Sequence, residues 1–220
     1  GPVGYDSWND YCLDLKDSKL YSFLSDKSLA IKEDDGVYAI PYVVEGYGII
    51  YNNAIMEKYF ALPNKKSDIE NMNEELKAVV EDMTANKEAL GIKGVFASTS
   101  LSSGEDWRWQ THLLNVPLYY EAFEKDSAED VSLALLDADT IDFKYSENYA
   151  KIFDLYTDNS ITAKTLLGSK SVADSMAEFA LGEAAIAQNG VWAWGQINVD
   201  GTKVAAEDLY YMPIYTGAEG

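Results

Sequence analysis

Cysteine and histidine are almost missing from this 220-residue chain, and basic residues are scarce. The single cysteine, Cys12, excludes any intrachain disulfide. No apolar segment precedes it, so it is not expected to carry a lipid and reads as a small buried hydrophobe. The single histidine, His112, has no flanking Cys, Asp or Glu at metal-ligand spacing; a packing role within a helix is expected, and no metal or cofactor is implied. Seventeen Lys and Arg against 37 Asp and Glu leave a net charge of −20. That balance repels phosphate backbones and anionic lipid surfaces, which argues against nucleic acid and membrane surfaces as partners. No stretch reads as a signal peptide, and none is apolar over the roughly 20 residues a membrane helix needs. P-loop, dinucleotide-binding and G-x-S-x-G patterns are missing as well, so the common nucleotide and hydrolase sites are not indicated.

What is present is enough apolar material, 47% of residues, for a sizeable core. The most informative stretch is Ala184–Ile197, AAIAQNGVWAWGQI. Ala184–Gln188 has the length and composition of a buried strand. Asn189-Gly190 is expected to break it, since both residues tolerate positive φ. Trp192 and Trp194 follow. Upstream, Ser171 is placed to cap a helix with Asp174 three residues on, Val172, Met176 and Phe179 recur at helical spacing, and Gly182 ends it. Three further apolar runs, Gly48–Tyr51, Val95–Ser98 and Leu209–Met212, have strand length. Between them, helical patterns occupy Ala54–Tyr59 and Met72–Met83, the latter with Leu76, Val79, Val80 and Met83 on one face. Another begins near Trp109, and one follows Ser146 with Tyr149, Ile152, Phe153 and Tyr156 as its face. Val37–Tyr42 reads as an earlier strand, with Pro41 marking an edge or a chain crossing. Trp8 is expected in a core. Residues 122–140 read as an acidic surface excursion. Strands alternating with helices predict an α/β fold with a sheet covered on both faces.

The segment FALGEAAIAQNGVWAW resembles the extracellular solute-binding proteins of ABC transporters, in the carbohydrate-binding family that includes maltose-binding protein. Val37–Asn52, VYAIPYVVEGYGIIYN, is similar to that family's first crossing strand, and Glu105-Asp106-Trp107-Arg108-Trp109 falls where the family sets a Glu and an aromatic against its ligand. The resemblance implies a periplasmic-binding-protein-like lobe, with a central mixed sheet flanked by helices. Residues 1–2, Gly-Pro, read as a tag remnant. The resemblance also implies an order of parts: 3–41 a remnant of the first lobe with its crossing strand, and 42–220 a second α/β lobe incomplete at its C-terminus. The implied function is to bind a sugar or oligosaccharide in an interlobe cleft and hand it to ABC permease subunits. The setting would be extracellular or periplasmic, with a lipid anchor on the full-length protein and no membrane insertion by this piece.

Sugars present an apolar C–H face and a rim of hydroxyls, so a site for them needs flat aromatics and planar hydrogen-bonding groups. The aromatics here are Trp107, Trp109, Trp192 and Trp194. One ring of each W-x-W pair is expected to meet ligand while the other packs; Trp107 and Trp192 are preferred. Glu45 follows an apolar run, so its carboxylate is either paired inside or faces a cleft, and the resemblance favours the cleft. Glu105 and Arg108 are further candidates, set against a plain surface ion cluster. The candidate ligand-binding set is therefore Glu45, Glu105, Trp107, Arg108, Trp192 and Trp194, with no catalytic residue. Two alternatives stay open: a stand-alone polysaccharide-adhesion module, and a glycoside hydrolase using Glu45 and Glu105 as its carboxylate pair.

Overall fold

A computed structural model describes residues 2–63, 65, 72–126 and 138–218. The chain divides into two compact units, Gly1–Glu45 and Gly46–Gly220.

The first unit holds a helix α1 (Pro2–Trp8), a short turn of helix α2 (Lys19–Ser22) and an antiparallel hairpin of β1 (Ile31–Glu33) and β2 (Gly36–Ala39). Asp34 closes the hairpin with a φ of 48°, which an Asp side chain tolerates better than most. Lys32 and Glu33 therefore lie in a strand. The strand expected over Val37–Tyr42 stops at Ala39, because Pro41 has no N–H to continue a ladder. Tyr5 stacks on Tyr38 at 5.1 Å and its hydroxyl donates to Glu33. Among the described residues of this unit, Gly36 and Val37 alone are buried. Trp8 is corrected by this: it is 65% exposed, touching Tyr11 edge-on at 6.0 Å. A hairpin and two short helices make no interior for an indole to enter. Cys12, expected buried, is half-buried, its Sγ 3.4 Å from the Trp8 carbonyl.

The second unit is built on four strands, β3 (Tyr47–Asn52), β4 (Gly94–Phe96), β5 (Ala184–Gly190) and β6 (Leu209–Met212), in the order β4-β5-β3-β6. β4 runs parallel to β5, and β3 antiparallel to both β5 and β6. The sheet is mixed, and it contains the four runs read from sequence. β4 is shorter than expected. Ala97 still donates to the Ile186 carbonyl at 2.8 Å, but the Ser98 N–H turns to the carboxylate of Glu178 at 2.7 Å, and the ladder ends.

Helices cover both faces. On one side α3 (Asn53–Phe60), α4 (Met72–Ala85) and α7 (Ser146–Asp158) pack Met56, Val80, Met83 and Tyr156 against Ile49, Phe96 and Ile186. On the other, α8 (Val172–Ala180) and α9 (Trp194–Ile197) pack Met176, Phe179 and Ile197 against Ile50 and Ala187. Adjacent residues of one strand thus feed opposite cores, as the pleat requires. α5 (Lys87–Leu90) ends at Gly91, whose φ of 76° suits glycine. α8 carries the anticipated capping box: Ser171 Oγ accepts from Asp174 N at 3.0 Å, and Asp174 accepts from Ser171 N at 2.8 Å. The helix expected to follow Ser146 includes it, as the first helical residue of α7.

The chain expected to turn α-helical near Trp109 does so through a π-helical turn, Arg108–Leu113, before α6 (Asn115–Asp126). Of the acidic excursion over 122–140, residues 127–137 lie outside the described residues. No helix among the described residues is long and apolar enough to cross a membrane.

Candidate functional site

The carboxyl ends of β4 and β5 lie at one edge of the sheet, and the amino end of β3 joins them there, because Tyr47 pairs with Gly190. This is where open α/β sheets collect ligand-contacting residues. Two connections form the rim: the 97–107 segment leading from β4 into the π-helical turn, and the short 3-10 turn Val191–Ala193 after β5. The second is tied down by a bond from Val191 N to the Gly46 carbonyl at 3.0 Å.

Trp192 is held by a close approach. Gly190 is extended (φ −103°, ψ 176°), so the expected positive-φ break at Asn189-Gly190 does not occur and β5 runs through both residues. Glycine is needed there for space. A Cβ on Gly190 would lie 2.2 Å from the Trp192 ring, which folds back across the strand end. The ring also meets His112, centroids 5.3 Å apart and tilted 42°, and His112 in turn meets Tyr47 at 4.8 Å and 37°. Tyr47, His112 and Trp192, all half-buried, form a continuous row. Burial raises the pKa of Tyr47. It lowers that of His112, helped by the nearby Arg108 charge.

Arg108 and His112 lie four residues apart in the π-helical turn. At about 4.4 residues per π turn they share a face, and π turns are frequent at functional sites. Trp109, 3% exposed, anchors the turn by packing on Phe153 at 4.7 Å. Arg108 reaches β5: its Nε and Nη2 donate to Asn189 Oδ1 at 3.2 and 3.0 Å, while Gln188 Nε2 donates to the Arg108 carbonyl at 2.9 Å. Burial lowers the Arg108 pKa, with the Glu105 charge opposing. Asn189 therefore locks the π-helical turn to the sheet.

Glu105 is half-buried, and its carboxylate accepts from Val172 N at 2.5 Å, at the first turn of α8. Trp107 is 54% exposed, its indole N–H donating to the Gly104 carbonyl at 2.6 Å. The 107/109 pair thus splits into one open ring and one packed ring. The 192/194 pair does not: Trp192 is half-buried against His112 and Gly190, and Trp194 is 43% exposed. Glu105, Trp107 and Trp192 lie on the two rim connections, and Arg108 and Trp194 open the helical turns that follow them. Glu45 is exposed and belongs to the first unit. Tyr47, His112 and Asn189 were not among the residues read as ligand-binding. The one available signal was the bracketing of Tyr47 by Gly46 and Gly48.

Two other concavities lie away from the rim. One is a small apolar pocket between α6 and α7, lined by Leu118, Phe143 and Tyr149; the other is a wide groove between α4 and α7 with Lys77, Lys151 and Asp154 on its walls. Among the described residues, no three His, Cys, Asp or Glu side chains gather to hold a metal ion.

The sequence profile of the bacterial extracellular solute-binding proteins matches residues 1–218. The chain belongs to that family. Solved structures carry the same fold. One is the binding protein RafE in complex with raffinose, at 18% identity and a TM-score of 0.65, with 97% of this chain and 52% of that chain covered. Another is a chitin oligosaccharide binding protein (17%, TM-score 0.56, 97% and 49% covered), and a third is maltose-bound MalE3 of T. maritima (17%, TM-score 0.56, 96% and 50% covered). This solute-binding protein chain spans about half the length of the structures it matches. No curated protein matches it in sequence.

Proposed function

We propose that this chain binds a carbohydrate, an oligosaccharide, at the rim formed by Tyr47, His112, Trp192, Trp107 and Arg108, and serves delivery of that sugar to an ABC importer. The observation that carries the reading is the row Tyr47–His112–Trp192 at the strand ends, flanked by a half-buried guanidinium. Flat rings take the C–H face of a sugar and planar donors take its hydroxyls. Similar structures hold raffinose and maltose, which supports the same reading. In the two-lobed design that the resemblance implies, the second unit is most of one lobe and residues 3–41 belong to the other. The protein would work outside the cytoplasm, lipid-anchored. Binding energy would favour the closed arrangement of the lobes, the state the permease recognises.

The chain alone should bind weakly. Enclosure between two walls gives such pockets their affinity, and with one wall open each hydroxyl gains only about 0.5–1.5 kcal/mol, against an association cost of roughly 4–15 kcal/mol. Calorimetric titration with raffinose, maltotriose and chitotriose is expected to give dissociation constants in the millimolar range, about −4 kcal/mol. Micromolar binding would show a site complete within this chain and shift the reading to an adhesion module. No hydrolysis is expected: Glu105, one of the two carboxylates a glycosidase would need, is engaged at the start of α8. Reducing ends released by the protein and lost in Glu45→Gln would reverse that.

A further inference from the structure

His112 is wedged between two rings, and its two nitrogens differ. Nδ1 is sealed inside without a hydrogen-bond partner; Nε2 is not among the sealed atoms. A proton on Nδ1 would be a buried donor with no acceptor, which is costly. The neutral Nε2–H form avoids that cost and leaves the proton on the nitrogen that is not sealed. The groups that face the imidazole leave this form undisturbed. Tyr47 from β3 is a neutral phenol, the Val191–Ala193 turn contributes the uncharged Trp192, and Arg108 on its own turn repels a second positive charge. Arg108 is itself fixed by two bonds to Asn189, so it holds its place beside the imidazole.

We infer that His112 is the residue that reads the sugar's hydroxyls: its neutral imidazole donates from Nε2–H to a ring hydroxyl of a pyranose laid against Trp192, with Tyr47 backing the imidazole from the other side. The inference rests on the sugar-binding reading and assigns within it a specificity role to a residue that sequence reasoning left to packing. It follows that the ligand places a hydroxyl acceptor at this position, and that a deoxy-sugar lacking it is discriminated against. It also follows that binding weakens on acidification, because the imidazolium must bury a proton on Nδ1.

Because His112 is the chain's one histidine, a single imidazole answers in a ¹⁵N-histidine NMR spectrum. The free protein is expected to show the Nε2–H tautomer and to titrate below the ordinary 6.5. An Nδ1–H tautomer, or titration at 6.5 or above, overturns the inference. Raffinose, maltotriose and chitotriose are then added at millimolar concentration, with the Trp192 indole N–H followed in the same samples. A shift of Nε2 together with the Trp192 signal supports the inference. A shift of Trp192 with His112 unmoved overturns the inference and leaves the sugar reading standing. No shift of either signal with any of the three overturns both. His112→Phe, which keeps a flat ring, is expected to bind about tenfold more weakly. His112→Gln, whose amide N–H falls near the Nε2 position, should recover part of that loss. Equal affinity of His112→Phe and the parent overturns the proposal, and Trp192→Ala tests the sugar reading separately.

Discussion

The two units of this chain use similar raw material to different ends. The first 45 residues contain Trp8, Tyr11, Leu13, Leu20, Phe23, Leu29, Tyr42, Val43 and Val44, all exposed. The second unit buries Ile49, Ile50, Met56, Val80, Phe96, Tyr156, Phe179 and Ile186 almost completely. Apolar content alone therefore does not make a core. A hairpin and two short helices have one face each and, among the described residues of their unit, no second layer to lay it against, whereas a sheet with a helix layer on each side closes two cores at once.

The largest expected contrast is in hydrogen exchange. Amides of Ile49–Tyr51 and Ala184–Gln188, in the centre of the sheet, should exchange several orders of magnitude more slowly than those of Ile31–Glu33, since they open only with global unfolding. Equal protection would mean that the first unit has a core of its own. Next comes truncation. Phe179→Ala, at a site with no exposed surface, should cost about 3–5 kcal/mol in urea unfolding, while Trp8→Ala should stay within about 0.5 kcal/mol.

A third test sits at the end of β4. Glu178 accepts from Ser98 N at 2.7 Å, from Ser98 Oγ at 3.1 Å and from Lys170 Nζ at 3.0 Å. Glu178→Ala strands the buried Ser98 donor and should destabilise the second unit by about 1–3 kcal/mol; recovery by Glu178→Gln would point to the hydrogen bond rather than the charge. Gly190→Ala follows. The backbone there is extended and unstrained, so the cost is displacement of the Trp192 ring, visible as a change in tryptophan fluorescence and weaker sugar binding with little change in secondary structure.

The smallest effect is on pH. The folded state lowers the His112 pKa through burial and then Arg108, so the unfolded chain binds the extra proton first. Stability should be unaffected by His112 above pH 6.5 and should fall slightly as pH drops through and below that value. His112→Phe should remove this increment, and a stability curve unchanged by the substitution would show the imidazole to be as free as in the unfolded chain.

Much of this was legible along the chain. The four strands of the second unit are short apolar runs, and α8 announces itself through Ser171, Asp174 and Gly182, because caps and periodic faces are local properties that neighbours in sequence satisfy. The split between open Trp107 and packed Trp109 also follows from spacing once one face of the turn is anchored. Other features were invisible. That Gly190 makes room for an indole, and is not there for a positive φ, depends on where Trp192 folds. That Trp8 finds no core depends on what its unit lacks.

The rim itself was decided by tertiary structure. Tyr47 reaches Trp192 because β3 pairs with β5 in the register Tyr47↔Gly190. Arg108 and His112 reach the same place because a π-helical turn, locked by Asn189 81 residues away, puts both on one face. Local propensity sets which residues become strand, helix or cap. Which side chains from distant segments meet is set by strand order and register, since these alone fix the distances between segments that the chain leaves free.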